Sequence, residues 1–69
     1  MIAEEIGKTI KFRRQFLNLR QGDLAEMSGI ATKTIHLIES GSGNPSVETL
    51  EKLATVLGME LILNIKKMS

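Results

Sequence analysis

Few side chains in this sequence could do chemistry, and their types exclude most kinds of it. Cysteine is absent and His36 is the one histidine, so neither a disulfide framework nor a thiolate zinc site can form, and a lone imidazole does not build a metal centre. No nucleophile stands with a base, no acid–base pair is placed for proton transfer, and no glycine loop of the phosphate-cradling kind occurs. An enzyme is not expected, nor a metal or cofactor. What remains is hydrogen-bonding and charged side chains, His36 among them. They suit binding.

Such residues need a scaffold, and 69 residues leave room for one domain. With 42% apolar residues but only Phe12 and Phe16 as aromatics, the core must be aliphatic. A small chain without disulfides or metal relies on regular helix packing or oligomerisation, so helices and a dimer are expected. The formal net charge of +1 selects neither nucleic acid nor membrane as partner; distribution decides. No apolar run approaches the roughly 18 residues of a spanning helix. Glu4, Glu5 and Lys8 interrupt the start, so a cytoplasmic protein is expected.

Ile2, Ile6, Ile10 and Leu17, with Phe16 beside them, recur at helical spacing and predict an amphipathic first helix closing at Asn18, with Leu19 tucked back. Leu24, Ala25 and Met27 mark a second helix from Gln21 to Ser28, stopped by Gly29. Ile35, Leu37 and Ile38 mark a third, Thr32 to Glu39, stopped by Gly41. After the Ser40–Ser46 loop, Ser46 caps a fourth helix carrying Val47, Leu50, Leu53, Ala54 and Leu57, with Glu48 in its first turn and Gly58 closing it.

From Met59 to Lys67 the period changes to two: Met59, Leu61, Leu63 and Ile65 alternate with Glu60, Ile62, Asn64 and Lys66. A lone strand has no partner inside a helical chain, so this pattern predicts an antiparallel ribbon with a second copy, formed by Met59, Leu61, Ile62, Leu63 and Ile65. Met, Glu and Leu also favour helix, so a fifth helix or a frayed tail is the alternative. The expected organisation is a domain over 1–58 and a dimerisation segment over 59–69.

Two short helices joined by a tight glycine turn form a helix-turn-helix arrangement. The stretch RQGDLAEMSGIATKTIHLIESG closely resembles this motif in the phage-repressor-like family of bacterial DNA-binding proteins, which includes antitoxins of toxin–antitoxin pairs. The matching residues are Gln21, Leu24, Ala25, Gly29, Ile30, Thr34, Ile35, Glu39 and Gly41. Upstream, IGKTIKFRRQFLNL resembles the family's first helix; downstream, NPSVETLEKLATVLGM resembles its fourth. The resemblance spans roughly Ile6 to Met59. It implies a mainly all-α, four- to five-helix DNA-binding domain, completed here by the C-terminal strand pairing across a homodimer.

Carried over residue by residue, the resemblance implies that Thr32, Lys33, His36 and Leu37 meet base edges, with Lys33 suited to guanine and Thr32 to several bases. Phosphate contacts are implied for Gln21, where the helix dipole also favours an anion, for Thr34, and for the backbone of Ser40, Gly41, Ser42 and Asn44. Arg14 resembles the family's first-helix arginine, which pairs with the residue equivalent to Glu39 and lies near the DNA backbone. An ion-pair role and a phosphate role are both open for Arg14. Lys11 and Arg20 are phosphate ligands or solvated charges.

Arg20 and Ala31 stand where the family usually places a capping Ser or Thr, each at a cost of about 1 kcal/mol. Frayed or shifted helix starts are expected there, with Thr32 an alternative cap. The implied function is a repressor or autoregulator binding a palindromic operator as a homodimer. The segment MELILNIKK is similar to the dimerising strand of some small antitoxins, which adds a toxin protein to the implied partners. The alternative is a protein-interaction module that keeps the fold without binding DNA.

Overall fold

A computed structural model describes residues 2–63, which form α1 (Ile2–Phe16), α2 (Gln21–Ser28), α3 (Thr32–Glu39) and α4 (Val47–Val56). The four elements lie where the apolar periods and stop signals place them. A left-handed residue follows each helix: Asn18, Gly29, Gly41 and Gly58, at φ of 58°, 76°, 80° and 69°. At the end of α1 the Asn18 N–H donates to the Gln15 carbonyl (2.9 Å) and the Leu19 N–H to that of Arg14 (3.0 Å). This double closure reverses the chain and packs Leu19 against the core. The same closure after α4, through Gly58 and Met59, folds Met59 back likewise.

The helix starts are unshifted. Ser46 caps α4, its Oγ accepting from the Thr49 N–H at 3.0 Å. Arg20 offers no side-chain cap to α2, but its own N–H donates to Asp23 Oδ2 at 2.8 Å, removing one dangling donor. Ala31 is extended at φ −60°, ψ 140° and holds the start of α3 without any side-chain bond. Thr32 is therefore inside the helix as its first residue, not its cap.

The core is aliphatic: Ile10, Leu24, Ile35, Ile38, Leu50, Leu53 and Leu57. Phe12 and Phe16 are 72% and 65% exposed. Leu17 and Met27, expected on inward stripes, are exposed as well. On α1 the i, i+4 row that carries Ile6 and Ile10 inward arrives next at Arg14, and the helix ends at Phe16, leaving Leu17 in the cap. Gly7 is buried where α1 crosses the end of α3; a Cβ there would collide with the Ile38 carbonyl oxygen.

Beyond α4 neither the expected strand nor the alternative fifth helix occurs over Met59–Leu63, and no strand is present among the described residues. The physical reason is the one that made the strand intermolecular: a single chain has no second edge to pair with. Met59 is half-buried, whereas Leu61, Ile62 and Leu63 are exposed. Ile65 lies outside the described residues. No described helix is long and apolar enough to cross a membrane.

Candidate nucleic-acid interface

The α2–α3 connection is built from short-range bonds. Gly29 donates its N–H to the Ala25 carbonyl at 2.9 Å, and the Ser28 hydroxyl accepts from the Ile30 N–H at 3.2 Å while donating to the Leu24 carbonyl at 2.6 Å. These bonds, with Leu24 and Ile35 fully buried on facing sides, set the relative direction of the two helices. Ile35, Ile38 and Glu39 occupy the inner face of α3, and Thr32, Lys33, His36 and Leu37 the outer one. A helix with its side chains is about 10–12 Å across, comparable to the width of a major groove. The four residues expected to meet bases thus share one exposed surface.

Behind that surface sits a buried polar network. Arg14 Nε donates to Glu39 Oε2 at 2.7 Å and Nη2 to Oε1 at 2.9 Å, a two-pronged pair, while Nη1 donates to the Leu19 carbonyl at 2.7 Å. Gln21 Nε2 donates to Glu39 Oε1 at 3.0 Å. Four segments are joined by these bonds: α1, the turn after it, the first residue of α2 and the last of α3. Burial alone would raise the Glu39 pKa, but the Arg14 and Gln21 hydrogen bonds and the charges of Arg14 and Lys11 reverse the sign, holding it below its ordinary value. Arg14, hydrogen-bonded to Glu39, is raised despite its own desolvation.

Arg14 is 8% exposed, so of its two open roles the ion pair is the one present, and its guanidinium is turned inward. Gln21 reaches the same network from the start of α2 and is half-buried. Thr34, Leu37, Ser42 and Asn44 surround one small cavity of about 110 Å³, where the loop after α3 folds back along the helix. That loop differs from expectation in detail. The amides of Ser40, Gly41 and Ser42 donate to the carbonyls of His36, Ile38 and Leu37 in closing α3, and the Ser40 hydroxyl donates to the Leu37 carbonyl. The loop amides of Gly43, Asn44 and Ser46 have no partner among the described residues.

Residues 10–63 match the helix-turn-helix family. The chain belongs to the helix-turn-helix family. Among curated relatives it is 41% identical over 59 residues to an HTH-type transcriptional regulatory protein of Methanococcus vannielii, covering 86% of this chain and 18% of that one. A similarly named protein of Methanococcus maripaludis is 37% identical over 62 residues, 90% of this chain and 19% of the relative. An HTH-type transcriptional regulator of Methanocaldococcus jannaschii is 36% identical over 52 residues, 75% of this chain and 79% of the relative. The chain therefore spans about a fifth of the length of the first two and most of the third.

Three supports of this helix-turn-helix unit escaped the sequence reading. Gly7 allows α1 to approach the end of α3; its signal was a glycine one turn before the core residue Ile10. Asp23, three residues after Arg20, had the spacing of a partner for the helix start. Arg13 donates from Nε to the Leu57 carbonyl at 2.9 Å, tying α1 to the end of α4, a contact 44 residues apart that no local pattern signals.

Proposed function

We propose that this chain binds double-stranded DNA sequence-specifically as a transcriptional regulator, inserting α3 into the major groove as a homodimer on a palindromic operator. The observation that carries the reading is the two-sided character of α3: Thr32, Lys33, His36 and Leu37 stand outward together while Glu39 on the opposite side is locked to Arg14 and Gln21. A recognition helix needs that combination, an open face for base edges and a fixed orientation behind it. The regulatory names of the relatives are of the same kind.

In this reading Lys33 reads guanine, Thr32 and Leu37 touch thymine methyls, and His36 meets a base or phosphate. Gln21, Thr34, Ser42 and the amides of Gly43 and Asn44 hold the phosphates, and Arg14 acts by positioning Gln21 through Glu39. Residues 1–58 carry the DNA-binding unit and 59–69 the pairing of copies. An antitoxin member would in addition hold a toxin protein, which co-expression with the product of an adjacent gene would reveal.

Selection of bound sequences from random DNA tests the proposal. The expected product is a palindrome with half-site centres about 10 bp apart. Lys33→Ala should cost about 1–3 kcal/mol of affinity and relax specificity at one base pair per half-site. No enrichment, or affinity without a steep fall as salt rises, would leave the fold as a protein-interaction module instead.

A further inference from the structure

On the side of the molecule built by α1 and α4, a groove of about 260 Å³ is open at the surface. Its apolar lining is Ile6, Ile10, Leu50, Ala54, Met59 and Leu61. Glu5, Thr9 and Glu60 edge it, and Glu51 lines the adjoining cleft along α4. No residue of α2 or α3 contributes to either. Directly after the groove wall the chain projects an apolar triplet, Leu61, Ile62 and Leu63, whose exposure climbs from 40% through 64% to complete.

A two-fold interface requires one patch to be both donor and acceptor. This face meets that condition: a projecting apolar segment beside an unfilled apolar groove, the two joined through Met59 and Leu61. Charge agrees, because the groove is edged by carboxylates and the sequence following the triplet runs Asn64, Ile65, Lys66, Lys67. We infer that the α1–α4 groove is the docking site for the Leu61–Leu63 segment of a second copy of this chain, exchanged reciprocally. The inference rests on the homodimer reading and not on the DNA reading. It places the seam away from Thr32, Lys33, His36 and Leu37, so both recognition faces stay open when the copies pair.

The chain contains no cysteine, which makes disulfide trapping unambiguous. Thr9→Cys and Leu63→Cys proteins, one of them labelled with a heavy isotope, are mixed and oxidised, and the products are identified by mass. A mixed disulfide between position 9 of one copy and position 63 of the other is expected to dominate. Sedimentation should show a dimer for the parent chain and a monomer for Leu63→Glu with unchanged helical circular dichroism. A parent chain that sediments as a monomer would overturn the inference, and so would cross-linking confined to Leu63→Cys with itself, which marks a strand-on-strand ribbon over an empty groove. A monomer that still protects single half-sites leaves DNA binding standing; a dimer that ignores DNA does the reverse.

Discussion

The α2–α3 side and the α1–α4 side of this molecule share one apolar core, but only the first adds a buried polar network to it. On the first, Arg14, Gln21, Glu39 and the Leu19 carbonyl fix the helices by directional bonds. On the second, Leu50, Leu53 and Leu57 join the one apolar core that also holds Leu24 and Ile35, supplemented by the Arg13 bond to the Leu57 carbonyl. Both sides pack closely, but hydrogen bonds add fixed donor–acceptor directions to that packing. The side that carries the exposed face of α3 is the one that buries charge. The side that leaves apolar surface open is the one available to a second copy.

The sharpest way to break that contrast is to strip the polar network. Glu39→Ala leaves Arg14 buried without its partner, and should lower unfolding free energy by about 3–5 kcal/mol in a denaturant titration. Leu53→Ala, on the α1–α4 side and fully buried, should cost a comparable 2–5 kcal/mol or so. The two should differ in DNA affinity measured where both are folded, Glu39→Ala acting directly on the end of α3. Next comes Gly7→Ala, where the collision with the Ile38 carbonyl forces α1 off α3, at about 1–3 kcal/mol or more.

The network also has a pH signature. Glu39 is held below its ordinary pKa, so its carboxylate stabilises the folded chain fully at pH values above the unfolded glutamate pKa of about 4.3. That contribution is lost as pH falls through the depressed folded value. Acid titration of stability should therefore show a steeper decline for the parent than for Glu39→Gln. Smaller still is Ser46→Ala, which removes the α4 cap and should cost about 1 kcal/mol, a fall in Tm of about 4–8 °C. At the bottom, Phe12→Ala should stay within about 0.5 kcal/mol, since the ring is 72% exposed.

Most of the fold was legible locally. Ser46 and Gly58 bracket α4, Gly29 and Gly41 end the motif helices, and Asn18 closes α1, because a residue tolerant of positive φ and a hydroxyl cap act within one turn of themselves. The inward turn of Ile35 and Ile38 followed from their period, and the residues on the outer face of α3 from the family resemblance. Harder to read were the positions where a local rule met a long-range partner. Leu17 fits the apolar period better than Arg14 does, yet Arg14 is the one buried, because Glu39 waits 25 residues away. The amides of Ser40 to Ser42 look available for phosphate in sequence and are bound to their own helix.

By itself, then, the sequence determined where the helices begin and end and that the core is aliphatic. Those features depend on backbone preferences and periodicity, which act over a few residues. Tertiary structure decided which of Arg14's two open roles is present, and it alone decided that Gly7 is a crossing point, that Phe12 and Phe16 lie outside the core, and that an apolar groove remains beside Leu61–Leu63. Each of these depends on which distant side chain arrives opposite, and that is a property of packing rather than of spacing.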